Sequence, residues 1–410
     1  QEKVRLEAKR SNNPAAYDAY LRGRAFPGGS HLEGAIRLFQ EAVKLDPNFT
    51  LAWAYLSIAQ SQSYWLGTDP SPARLAAAKD SLDRALALDP NPSEVHLALG
   101  YYRYQGPHDY AGALAEFQQA ERGLPNSADV ILAIAALQRR LGHWDEAIAE
   151  LRRAIELDPR NIQASNNLAE TYRFLRRFPE ALAAVDRILA RAPTNDGALS
   201  MKAEVFLATG DLQAAEPLLL ANPQLDPILR AICPLFQRRY AAAIDVLSRA
   251  LVTETDGVAH DIEKLLLGLS QQRSGDVAAA RATYQDATQD FRRQLEKAAP
   301  DSFATGLTHG FLGWAHAGLG EAVSAIAEGQ KAMSIHPTSR DPVEGPIEEE
   351  RMANIYALLG DADHAVPILK RLLQIPYGGA ITPAMLRLDP VWDQIRNDPR
   401  FQELLSEKQP

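Results

Sequence analysis

Small and apolar residues recur along the chain at fixed distances ahead of a proline. Counting back from Pro47 gives Ala42, Phe39 and Ala35, and from Pro90 it gives Ala85, Leu82 and Ala78. The same offsets reach Ala154, Leu151 and Ala147 from Pro159, Ile188, Val185 and Ala181 from Pro193, and Ala332, Gly329 and Ala325 from Pro337. Spacings of three and four put these groups on one side of a helix, so each stretch predicts an amphipathic helix closed by its proline. Pro125, Pro159 and Pro193 lie 34 residues apart, a period that makes each unit two antiparallel helices, here called A and B. In the unit 128–161, Ile131, Ile134, Ala135 and Gln138 form the stripe of helix A and Ala147, Leu151 and Ala154 that of helix B. Gly142 falls in the turn between them, where a left-handed backbone suits glycine. The small alanines predict close helix approach, and a charge at Ala147 or Ala181 is expected to be strongly destabilising.

Nine or ten such units fit the chain. Clear ones cover 16–49, 50–92, 93–127, 128–161, 162–195, 261–294, 306–339 and 346–379. The second carries an insertion, Ser63 to Pro70, that lengthens its helix A or the following loop. Units near 196–223 and 224–257 are degenerate, because Pro217, Pro223, Pro227 and Pro234 are expected to interrupt the helical pattern. The organisation read from the chain is a lead-in at 1–15, repeats over 16–195, degenerate repeats over 196–257, further repeats over 258–379 and capping helices over 380–410. In that last segment Leu386, Leu388, Trp392, Ile395, Phe401 and Leu404 are expected to cover the last helix pair, as an open stack end requires.

At 410 residues a modular stack is a better solution than one compact core. The formal net charge of −9 argues against a general nucleic-acid binder. Cys233 is the sole cysteine, which removes an intrachain disulfide framework and a thiolate cluster, and fits cytoplasm and periplasm equally. No apolar run reaches membrane-spanning length. The chain begins at Gln1 with a polar lead-in, which reads as a fragment with a further domain upstream.

The repeated spacing resembles the tetratricopeptide repeat (TPR) superfamily over nearly the whole chain. Two stretches narrow the resemblance: AAYDAYLRGRAF at 15–26 running into GAIRLFQEAVKLDPNFTLAWAYLSIA, and GFLGWAHAGLG at 310–320 followed by LRLDPVWDQIRNDPRFQELL. Together they resemble the C-terminal TPR regions of bacterial multidomain regulators headed by a kinase, an adenylate cyclase or a winged-helix domain. The resemblance implies an all-α, right-handed TPR superhelix with a C-terminal helical cap, acting as a non-catalytic regulatory or sensory arm. It implies no cofactor, and a protein or extended peptide held along a concave wall of A helices.

Mapping the inward positions of each helix A gives Tyr101, Tyr104, Arg139, Asn166, Glu170, Arg173 and Glu204 as candidate partner-binding residues, with Tyr17, Tyr20, Arg24, Glu350 and Asn354 among the flanking ones. Asn166 can hold a peptide amide through its paired donor and acceptor, and Arg139 and Arg173 can grip carboxylates. The plain alternative is that each is a solvated helix residue. A Lys/Asn clamp of the kind that holds chaperone C-termini is absent, since Leu132 and Ala136 stand where it would begin. A free-standing scaffold is the second functional reading. A third, nucleic-acid binding, rests on the rim pairs Arg139-Arg140, Arg176-Arg177 and Arg238-Arg239, against which stand Asp145, Glu146 and Glu180. His309, His316 and His336 form no HxxxH or HExxH pair, and the glycines at 306–320 precede no Gly-Lys-Ser/Thr, so neither a metal nor a phosphate site is expected. No spacing supports a catalytic constellation.

Overall fold

A computed structural model describes residues 11–25, 32–253 and 258–406. Most of the lead-in, Phe26 at the end of the first motif, the junction at 254–257 and residues 407–410 lie outside the described residues. Among the described residues the regular structure is helical, without strands. The chain forms two compact units, Gln1–Pro159 with Lys297–Ala304, and Arg160–Glu296 with Thr305–Pro410.

The first unit holds α1 (Pro14–Arg24), α2 (Leu32–Leu45), α3 (Thr50–Trp65), α4 (Pro72–Leu88), α5 (Ser93–Gln105), α6 (Tyr110–Gly123), α7 (Ala128–Arg140) and α8 (Trp144–Leu157). The second begins with α9 (Ile162–Phe174), α10 (Phe178–Leu189), α11 (Asp196–Thr209), α12 (Leu212–Ala221), α13 (Pro227–Phe236) and α14 (Tyr240–Thr253). It continues through α15 (Val258–Ser274), α16 (Val277–Leu295), α17 (Phe303–Gly318), α18 (Ala322–Ile335), α19 (Gly345–Leu358) and α20 (Ala362–Leu372). Short α21 (Pro383–Leu388), a 3₁₀ turn at Pro390–Trp392 and α22 (Pro399–Leu404) end it. The first two residues of α17 pack with the first unit, where Phe303 stacks on Trp65 at 4.6 Å. Successive helices pack in pairs from α1 to α16, as do α19 and α20.

The proline motif does two jobs. Ahead of Pro159, Asp158 leaves the helical region while its N–H still bonds the Ala154 carbonyl at 3.0 Å, which ends α8. Two residues past the proline, Asn161 accepts from the Ala164 N–H at 2.9 Å and starts α9, and Asn195 starts α11 in the same way. Between motifs, Ala147, Leu151 and Ala154, like Ala181, Val185 and Ile188, are buried. The glycines at 306, 310, 313 and 318 sit where an added Cβ would strike His336, Glu348, the Ala325 carbonyl and Tyr284.

The prolines between 217 and 234 do not break the pattern as expected. Pro217 lies inside α12 and Pro234 inside α13, Pro227 opens α13 behind the Asp226 cap, and Pro223 stands between the two helices. An internal proline costs about 3 kcal/mol. Here Leu219, Leu229, Cys233 and Phe236 share one buried cluster with Leu199 and Leu207, and that packing holds the helices.

Gly142, Gly210, Gly275, Gly320 and Gly360 close their hairpin turns with φ between 76 and 95. At equivalent turns stand His108, Arg176 and Arg238, with φ of 57, 55 and 60. Leu386, Trp392, Ile395, Phe401 and Leu404 bury against Leu369 and Leu372 of α20. Leu388 departs from its expected place over the last helix pair and packs with the α11–α13 cluster.

Candidate partner-binding site

The sequence-derived site residues divide between the units: Tyr101, Tyr104 and Arg139 stand in the first, and Asn166, Glu170, Arg173 and Glu204 in the second. In the first unit a cavity of about 190 Å³ opens among α1, α3, α5 and α7, with Leu32, Ala35 and Phe39 of α2 on one wall. Tyr101, Leu97, Ile58, Gln62 and Leu132 line it, and Arg24 and Asp129 sit at its edge. Arg24 Nη2 bonds Asp129 Oδ2 at 2.7 Å while its guanidinium lies 4.0 Å over the Tyr55 ring. Burial pushes the phenols of Tyr55 and Tyr101 above their usual range, so both keep their protons at neutral pH. The face therefore offers apolar walls, two phenols and a guanidinium–carboxylate pair that remains partly exposed.

Tyr104 takes no part in this surface. It is buried 5.3 Å from Trp65, in a tilted contact, and its hydroxyl accepts from Arg140 Nε at 3.1 Å. Arg139 lies half-buried in the last turn of α7.

In the second unit, Arg173 Nε lies 3.2 Å from Glu204 Oε2, so the predicted carboxylate grip is met inside the chain. Burial raises the Glu204 carboxyl above its ordinary range, opposed by Arg173 and reinforced by Glu170. Among the described residues the enclosed Asn166 Oδ1 has no hydrogen-bond partner, nor has Asn354 Oδ1, which leaves two acceptors open on α9 and α19.

The rim arginines are engaged. Arg177 pairs with Glu180 at 2.7 Å, Arg239 with Glu216, and Arg238 with Asp393 at 2.9 Å. Arg176 is buried, and donates to the carbonyls of Ile381 at 3.0 Å and of Ile375 and Leu372 at 2.8 Å. The histidines pair separately: His309 with Glu328 and His316 with Glu321, each at 2.5 Å, and His336 with Glu348 at 3.5 Å. Burial works against ionisation of Glu328, but His309 and Lys331 outweigh it and hold the carboxyl down at about 2. Among the described residues no group of three or more His, Cys, Asp or Glu is placed to hold a metal. Burial also pushes the lone Cys233 thiol up to about 11, away from the reactive thiolate.

Asp389 gives a pH prediction. Burial pushes its carboxyl up to about 6 even though the Val391 N–H and Arg238 favour the carboxylate. A carboxyl whose folded value lies above its unfolded one stabilises the fold fully at low pH and loses that contribution as pH rises through about 6. Asp389→Asn should therefore flatten the stability profile between about pH 4 and 6 and raise stability at pH 7 by roughly 3 kcal/mol. Urea unfolding at a series of pH values checks this. A variant less stable than the parent at pH 7 would show that the ionised side chain is instead favourable.

Residues 132–196 and 167–227 match the family model described as tetratricopeptide repeat. Sperm-associated antigen 1 of Rattus norvegicus is 30% identical over 109 residues, which are 27% of this chain and 12% of that protein. The Mus musculus protein of the same name matches to the same extent. The chain thus spans 12% of the length of these curated relatives. Among solved structures, TTC0263, a thermophilic TPR protein of Thermus thermophilus, is 23% identical with a TM-score of 0.40, covering 47% of this chain and 100% of that one. A tetratricopeptide repeat protein of Parabacteroides merdae is 15% identical with a TM-score of 0.34, covering 76% and 97%. The chain is thus an all-α framework of paired helices in which residues 132–227 match the tetratricopeptide repeat model.

Proposed function

We propose that the chain is the non-catalytic, partner-binding arm of a bacterial signalling protein, and that it holds an extended peptide or protein surface on the A-helix face of its first unit. Tetratricopeptide repeats bind proteins and peptides, and the TPR fold is typically non-catalytic. The observation that carries the choice of face is the open cavity of about 190 Å³ beside Arg24, Tyr101 and Asp129. Its apolar walls suit a partner side chain. The Arg24–Asp129 pair at the edge can exchange partners with a charged group or with peptide amides. Residues of the second unit named from the sequence fit a partner less well, since Arg173 already faces Glu204.

Partners captured from a cell extract by the intact chain supply the test. Tyr101→Ala and Asp129→Lys should each reduce capture at least tenfold, roughly the loss of 1.4 kcal/mol or more, with the helical circular dichroism signal unchanged. Undiminished capture by both variants would remove the first unit from the site. The reading frame upstream of Gln1 separates the arm from its rival. A kinase, cyclase or winged-helix head there supports the regulatory reading, whereas a start codon or signal peptide would make the chain a free-standing scaffold.

A further inference from the structure

The segment after α20 buries Leu386, Trp392 and Ile395 against the core and is also held by a series of polar contacts. It runs past four hairpins of the second unit in their chain order and meets each through a polar group at or beside its turn. Arg176, in the turn after α9, donates to the carbonyls of Ile375 and Ile381 in this segment and to that of Leu372 at the end of α20. The Thr382 hydroxyl donates to the Ala208 carbonyl at 2.6 Å, beside the turn after α11. Arg238, in the turn after α13, and Arg273, in the last turn of α15, both face Asp393, at 2.9 and 4.0 Å. Two of these contacts come from arginines at left-handed turn positions that other hairpins fill with glycine. The segment is also organised within itself. Arg396 donates to its carbonyls at Leu386, Arg387 and Asp389, and the Tyr377 hydroxyl accepts from the Ile381 N–H at 3.2 Å while donating to Glu350 at 2.6 Å. Side-chain-to-carbonyl and side-chain-to-carboxylate contacts spaced one per repeat, made first by a non-helical stretch at 375–382 and then by short helical turns, are how a bound ligand segment is gripped.

We propose that residues 375–398 are an internal ligand of the second unit, which occupies this turn rim and closes it to partner proteins while bound. Any partner that takes the rim must displace the segment and offer the same chemistry: a non-helical stretch with accessible carbonyls, followed by a carboxylate placed for Arg238 and Arg273. This inference is independent of the first-unit site, since capture through Tyr101 is unaffected by either outcome.

The test uses the full chain with a protease site inserted after the exposed Gln374. After cleavage, a fluorescently labelled synthetic copy of residues 375–410 is added, and its uptake is followed by anisotropy. The cleaved chain should exchange its own fragment for the copy with its helical signal retained, and the uncleaved chain should take up none. Arg176→Ala in the cleaved chain should speed release at least tenfold, and a scrambled peptide should not enter. Loss of the helical signal when the fragment leaves, equal entry of the scrambled peptide, or release unaltered by Arg176→Ala would each overturn the proposal and make the segment an ordinary part of the core.

Discussion

Ala181→Asp should lower the unfolding free energy by about 4 kcal/mol or more, while Ala183→Asp on the same helix should change it by less than about 1 kcal/mol. Ala181 is fully buried on α10, in the stripe it shares with Val185 and Ile188. Two effects add there. The extra atoms overpack a site fitted to a methyl group, at about 1–3 kcal/mol, and the carboxylate enters an apolar layer with no partner. Ala183 is exposed, so the same change meets water and tests only helix propensity. Urea unfolding followed at 222 nm reads both. Equal effects for the two variants would mean that this stripe is not a packed interface, which would undo the hairpin assignment at its most regular point.

Much of this architecture was legible because its signals are local. The stripe of Ala181, Val185 and Ile188, the Asp158-Pro159 stop and the Asn161 start all act within a few residues of one another, so periodicity and capping chemistry expose them. The candidate site was less legible. Tyr101 and Tyr104 are three residues apart on one helix, yet Tyr101 lines the cavity and Tyr104 is enclosed by Trp65 and Arg140. A single wheel position does not say which neighbour covers it. The Arg24–Asp129 pair joins residues 105 apart, and the Arg176 contact with Ile381 spans 205, distances at which no repeat pattern carries information. Pro217 and Pro234 misled for the converse reason: their local penalty is real, and the cluster of Leu199, Leu219 and Phe236 overrides it. One signal for the terminal segment was present in the sequence. Gly142, Arg176 and Gly210 stand 34 residues apart, so an arginine occupies a glycine column of the repeat. A bulky residue kept at a left-handed turn points to a side chain with work to do.

That column yields the second large effect, a ranked series at Arg176. Arg176→Ala should destabilise the protein by about 3 kcal/mol, because it removes charge-assisted bonds to three carbonyls and leaves those of the buried Leu372 and Ile381 without their donor. Arg176→Gly loses the same bonds but relieves the backbone, whose φ is 55, and should recover about 1 kcal/mol relative to alanine. Arg176→Lys keeps one compact charge that cannot span three acceptors, and should fall between the parent and glycine. Burial already favours the neutral guanidine, with Tyr377 and Glu350 opposing it, so part of the gain from the three bonds is spent on desolvation. This is why the expected loss is nearer 3 kcal/mol than the gross strength of three such bonds. The ordering parent, lysine, glycine, alanine separates the two contributions in one set of unfolding curves. Glycine equal to the parent would show that the carbonyl contacts contribute nothing net, and alanine equal to glycine would show that the turn carries no strain.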